Sequence, residues 1–90
     1  MTPEKAEILA LEGLGWLAGE PDHIEKFLAQ AGIDAATLRQ AAGEPGTGVA
    51  VLDFLLAQDE LLVRFCDSAG LQPRQVHAAR AALGRDTGFD

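Results

Sequence analysis

Apolar residues recur along this chain with the three-to-four spacing of helices, and no stretch alternates apolar with polar as a half-buried strand would. The pattern predicts a first helix capped by Thr2, with Pro3 at N1 and Glu4 at N2, running to about Ala18. Its apolar positions fall on two faces: Ala6, Leu9, Ala10, Gly13, Leu14 and Leu17 on one, and Ile8, Leu11, Gly15 and Ala18 on the other. A second helix runs from about Pro21 to Ala31, with Ile24, Phe27, Leu28 and Ala31 along one side and Gly32 as its C′ residue. Asp34 caps a third, to about Ala42, while Ile33 and Leu38 hold the N′ and N4 positions of a hydrophobic staple. Gly43 to Gly48 is a loop by composition. The helix that follows, Val49 to Ala57, is apolar on nearly every side and so belongs at the centre of a core. Asp59 is placed to cap the next helix, whose stripe is Leu62, Phe65, Cys66 and Ala69 and which Gly70 ends. Pro73 then takes N1 of a last helix reaching about Leu83, with Gly84 as its terminator and residues 85–90 as a frayed tail.

Sliding the chain by 38 positions superposes much of this grammar on itself. Phe27 meets Phe65, Gly32 meets Gly70, Ile33 meets Leu71 and Leu38 meets Val76, while upstream Leu14, Trp16, Leu17 and Ile24 meet Leu52, Phe54, Leu55 and Leu62. A unit that recurs in this way is usually one that cannot bury its apolar face alone, so the halves are expected to pack on each other. The fold class that follows is all-α, a compact bundle of five or six short helices built from two related helical units, about 3–43 and 47–84, within a single domain. The expected core is Leu14, Trp16, Leu17, Ile24, Phe27, Leu28, Leu38, Leu52, Phe54, Leu55, Leu62, Phe65, Leu71, Val76 and Leu83.

Composition narrows the setting. At 90 residues, 48% of them hydrophobic, the chain is a single small domain that buries only about 60% of its unfolded surface. One cysteine excludes an internal disulfide and suits a reducing compartment. No apolar run approaches the ~20 residues of a membrane span, and the start Met1-Thr2-Pro3-Glu4-Lys5 lacks the form of a signal peptide, so a cytoplasmic location is expected. The formal net charge of −7 disfavours nucleic acid. That charge is unevenly spread: residues 1–60 hold eleven acidic and three basic side chains, residues 61–90 three acidic and four basic.

Leu52-Asp53-Phe54-Leu55-Leu56-Ala57, then Asp59-Glu60-Leu61-Leu62, Phe65-Cys66, Ala69-Gly70-Leu71-Gln72-Pro73 and Ala79-Arg80-Ala81-Ala82-Leu83, resemble a family of small bacterial proteins known as domain of unknown function 3572. Ile8-Leu9-Ala10-Leu11 to Leu17-Ala18 and the stretch from Phe27 to Leu38 extend the resemblance over most of the chain. It implies no activity, and no functional residue follows from it.

Local features that could carry chemistry each have a plainer reading. The Gly43–Gly48 segment precedes a helix and could offer backbone N–H groups to an anion, but it lacks the lysine and hydroxyl of a P-loop and carries Glu44, so it reads as a linker. His23, with Glu20, Asp22 and Glu25 around it, sits where acidic residues are expected for helix-dipole reasons, and no second ligand cluster accompanies it; no metal or other cofactor is expected. Cys66 lies on the apolar stripe of its helix and reads as core, and Ser68 lacks the flanking pattern of a nucleophile. Asp53, the lone charge in an apolar helix, either is buried or marks a narrow exposed strip.

Three functional readings remain, the weakest an anion-dependent enzyme using the Gly43–Gly48 segment. The favoured one is a non-catalytic helical adaptor, acting by self-association or on a protein partner through Ile8, Leu11 and Gly15, since glycines at 13 and 15 each cost a lone helix about 1 kcal/mol relative to alanine unless another backbone comes close. A homodimer is the expected form. The alternative is a helix-turn-helix-like nucleic-acid binder: glycine, apolar residue and a second apolar residue recur at Gly32-Ile33-Leu38 and Gly70-Leu71-Val76, and the last helix carries Arg74, His77 and Arg80, with Arg85 beyond it.

Overall fold

Thr2 opens the first helix as its side chain demands: Oγ1 accepts the backbone N–H of Lys5 at 3.2 Å, and Pro3 occupies N1. The computed structural model describes residues 1–87, with side chains through Gly84, and holds six helices. They are α1 (Pro3–Ala18), α2 (Pro21–Ala31), α3 (Ala35–Ala41), α4 (Pro45–Leu56), α5 (Asp59–Ala69) and α6 (Pro73–Thr87). There is no strand among the described residues.

The centre is a trio. α1, α4 and α6 each pack on the other two, and α2 and α5 flank them, α2 against α1 and α4, α5 mainly against α4. The trio approaches closely because its facing positions are small: Ala6, Ala10 and Gly13 on α1, Gly48 on α4, Ala79 and Ala82 on α6, all buried. Larger side chains fill the remaining space, with Leu17, Val51, Leu52, Leu55, Phe65, Val76 and Leu83 wholly enclosed. Aromatic contacts tie the flanking helices on. Phe27 of α2 meets Phe54 of α4 edge-on at 5.5 Å, and Phe65 of α5 lies 5.8 Å from Trp16 of α1. Of the expected core residues, Leu14, Trp16, Ile24, Leu28 and Leu71 are only partly buried at its margin.

α2 and α5 are close local counterparts. Both have 11 residues, both end on a left-handed glycine (Gly32 φ 73, Gly70 φ 70), and both close with a backbone bond from the residue after that glycine, Ile33 N–H to the Leu28 carbonyl and Leu71 N–H to the Cys66 carbonyl. The likeness ends at the next helix. α3 has 7 residues and gives the core Leu38, whereas α6 has 15 and belongs to the central trio.

Two expectations about glycine are corrected. Only Gly43 and Glu44 of the expected Gly43–Gly48 loop lie between helices: α4 starts at Pro45, and the Thr47 and Gly48 N–H groups bond the Glu44 carbonyl at 3.0 and 3.1 Å. Gly48 is there for packing, because a Cβ on it would lie 2.9 Å from Leu83 Cδ1 and 3.2 Å from Ala10 Cβ, where the three central helices meet. Gly84 does not end the last helix, which continues to Thr87; the near neighbour of a Cβ there would be the flexible end of Arg80, Nη1 at 2.7 Å. Helical backbone thus extends through residues 85–87, while residues 88–90 lie outside the described residues. Asp59 is also not the cap of α5: Gln58 stands at that position, and its side-chain amide turns back to the Phe54 carbonyl at 3.3 Å.

Gly48→Ala is expected to lower stability by about 1–2 kcal/mol in chemical denaturation, since overpacking at the crossing outweighs the helix-propensity gain of about 1 kcal/mol. A stabilised variant would show that α4 can shift without loss.

Candidate interaction surface

The first helix separates its two apolar faces as its periodicity requires. Ala6, Leu9, Ala10, Gly13 and Leu17 are buried, and Gly13 is fully used there: a Cβ on it would stand 3.1 Å from Leu55 Cδ1 and 3.3 Å from Val51 Cγ1. The opposite face is left uncovered by the chain's own helices. Ile8 is 56% exposed and Leu11 47%, with Gly15 and Ala18 exposed farther along. A Cβ at Gly15 would meet nothing within 4 Å, so no internal contact accounts for that glycine.

This face forms one wall of an open groove of about 380 Å³. Leu11, Leu14, Gly15 and Ala18 come from α1, Ile24 from α2, and Ala35, Leu38, Arg39 and Ala42 from α3 and the residue after it. Apart from Arg39 the lining side chains are apolar. α3 is held as this wall at its start and its middle: Asp34 Oδ1 accepts the Thr37 N–H at 2.8 Å, which with the Thr37 hydroxyl holds the Asp34 carboxyl below its ordinary range, and Leu38 is buried in the core. A small void of about 20 Å³ continues the groove toward Glu7, Glu44 and Gly48, sharing Leu11, Leu14 and Ala42 with it. Arg39 enters no ion pair or hydrogen bond among the described residues. The sequence singled out Ile8, Leu11 and Gly15; it did not reveal the α3 wall, which only the tertiary fold brings alongside.

The other candidates are placed less suggestively. Arg80 Nε donates to Asp53 Oδ1 at 2.6 Å, tying α6 to α4; Asp53 is thus on an exposed strip and Arg80 is engaged within the fold. Arg74 and His77 are exposed on α6, and the side chain of Arg85 lies outside the described ones. His23 stacks on Trp16 with ring centroids 6.0 Å apart and planes 16° apart, in a polar cleft also lined by Lys26, Gln58, Glu60 and Arg64. Among the described residues no three His, Cys, Asp or Glu side chains converge as a metal would need. Cys66 is buried, as its stripe position requires, and burial together with the neighbouring Asp67 raises its thiol above the ordinary value, which suits packing and not nucleophilic attack. No helix is long and apolar enough to cross a membrane among the described residues.

The chain belongs to the family described as "Protein of unknown function (DUF3572)", whose model matches residues 3–86, from the first residue of α1 nearly to the end of α6. The resemblance drawn from its residues is thereby borne out. No curated protein and no solved structure matches the chain significantly.

Proposed function

We propose that this member of a family without an assigned activity is a non-catalytic interaction protein, which works by docking an apolar helical surface into the groove between α1 and α3. The observation that carries this reading is the face of α1 itself. Ile8 and Leu11 stand half-exposed beside a largely apolar cavity, in a chain with little apolar material to spare for its own core. Gly15 supports the same reading, because a helix-weakening residue with no internal contact is accounted for when another backbone approaches there. The acidic charge of the chain, and the engagement of Arg80 with Asp53, favour a protein partner over a nucleic acid.

The test is recovery of tagged full-length protein from its own host under native conditions, followed by native mass spectrometry. The wild-type chain is expected in an assembly heavier than one copy, and the Ile8→Glu, Leu11→Glu double variant is expected alone and folded. A wild-type chain recovered only as a single copy would overturn the reading.

A further inference from the structure

Every residue that lines the groove between α1 and α3 has a counterpart 38 positions on, and the counterparts lie on α4, α5 and α6. There the chain closes the wedge by itself. α4 and α6 pack directly on each other. Leu52, Leu62 and Val76, which answer to Leu14, Ile24 and Leu38, are buried, and Asp53 Oδ1 accepts from Arg80 Nε at 2.6 Å across the two helices. The wedge between α1 and α3 has smaller side chains at four of the matching places: Gly15 for Asp53, Ala18 for Leu56, Ala35 for Pro73 and Ala42 for Arg80. α4 thus supplies a carboxylate where α1 supplies none. α3 still supplies a guanidinium, because Arg39, one turn before Ala42 on the same side of the helix, lines the groove. We propose that this groove binds a small amphiphile with an apolar body and a carboxylate head, the body taking the place of the smaller side chains' missing bulk and the carboxylate pairing with Arg39.

Size and charge both fit that class. A volume of about 380 Å³ falls at the lower end of the range of small-ligand pockets, roughly 300–1,000 Å³, which are mostly apolar with a few polar groups that fix orientation. Arg39 is the one charged group in the lining and has no ion pair among the described residues. Its planar fork suits a carboxylate, the group that Arg80 already holds in the closed wedge. Asp34, the acidic neighbour that feels Arg39, is engaged in capping α3 through the Thr37 N–H. An uncharged apolar molecule would fill the same space and leave the guanidinium without a partner. The acidic charge of the chain opposes an anion at a distance, but salt screens it beyond about 10 Å at 0.1 M, so the contact at Arg39 decides. This inference goes beyond the interaction reading and does not depend on it; a partner helix and an amphiphile would exclude each other from the groove.

The experiment titrates the purified full-length chain with sodium decanoate and, separately, with 1-decanol, following backbone amide shifts by NMR, with circular dichroism to establish that each variant is folded. Decanoate is expected to bind saturably with a Kd of about 50 µM, moving the amides of Gly15, Ala18, Ala35 and Arg39, and decanol to bind at least roughly tenfold more weakly. Arg39→Gln should bring decanoate down to the affinity of decanol. Gly15→Asp gives α1 the carboxylate that α4 carries, at an exposed position with no neighbour within 4 Å, so the fold is kept while decanoate binding falls by roughly tenfold or more. Gly15→Asn, of the same size without the charge, should bind decanoate more tightly than Gly15→Asp. No saturable decanoate binding below 1 mM, equal affinity for decanoate and decanol, unchanged binding by Arg39→Gln, or shifts confined to residues away from the groove would each overturn the proposal. None of these outcomes touches the native-assembly test above, and a wild-type chain recovered as a single copy that still binds decanoate through Arg39 would overturn the interaction reading alone.

Discussion

The fragment 1–43 is expected to be largely unfolded on its own, although it contains three complete helices. The buried face of α1 is covered chiefly by α4 and α6, neither of which the fragment holds. Leu9 and Leu17 alone would forfeit on the order of 4 kcal/mol of burial, and Phe27 would lose the Phe54 ring it packs against. What remains is a 16-residue helix weakened by Gly13 and Gly15, an 11-residue helix and a 7-residue one, whereas isolated helices shorter than about 12–15 residues are marginal in water. Far-UV circular dichroism should therefore show most of the helical signal gone at 25 °C, with no sigmoidal melt. A cooperative thermal transition from the fragment would mean that α1, α2 and α3 form a core of their own, and the central trio would lose its place as the source of stability.

Much of this fold was legible in the sequence because its helix ends are written in side chains with local effects. Thr2 and Asp34 accept hydrogen bonds three residues ahead, Pro3, Pro21 and Pro73 occupy first turns, and Gly32 and Gly70 take positive φ; none of these depends on what packs against the helix. Glycine misled where its use was not local. Gly48 and Gly84 look like breakers in sequence, yet each sits inside a helix; Gly48 does so where Leu83 and Ala10 crowd it, whereas at Gly84 the near atom is only the flexible end of Arg80. Alanine hides the core for the same reason: Ala6, Ala10, Ala79 and Ala82 are buried where the trio crosses, but alanine is equally at home on a surface, so only the tertiary arrangement identifies them. The candidate surface divides along the same line. Periodicity was enough to show that α1 has a second apolar face at Ile8 and Leu11, because that is a property of one helix. Arg39, Ala35 and Ala42 join it only when α3 folds back beside α1, and nothing in their spacing announces that wall.

Phe65→Ala is expected to be among the most damaging single core substitutions, and clearly worse than Phe27→Ala, although the two phenylalanines occupy equivalent places when the chain is slid upon itself. Phe65 is enclosed: it is 1% exposed, packs beside Trp16, and its Cζ would stand 3.7 Å from a Cβ at Gly13, so its ring fills the space between α5 and the central helix α1. Removing it leaves a cavity walled by elements that are pinned to one another, and a truncation of this kind costs about 3–5 kcal/mol where the site cannot collapse. Phe27 has as little exposed surface, but it lines an open cleft of about 260 Å³ between α2 and α4, where water or the relaxing α2 can occupy the vacated volume. Its loss should fall toward the low end of that range. Small domains have roughly 5–15 kcal/mol in total and short ones the lower part, so Phe65→Ala should leave the protein partly unfolded at 37 °C while Phe27→Ala still melts cooperatively. Denaturant titration followed by the fluorescence of Trp16, the single tryptophan and a neighbour of Phe65, measures both. Equal losses at the two sites would mean that α2 and α5 bear equal shares of the load, as a symmetric pair of repeats would; the expected inequality means that α5 closes the core over the central helices while α2 lies at its open margin.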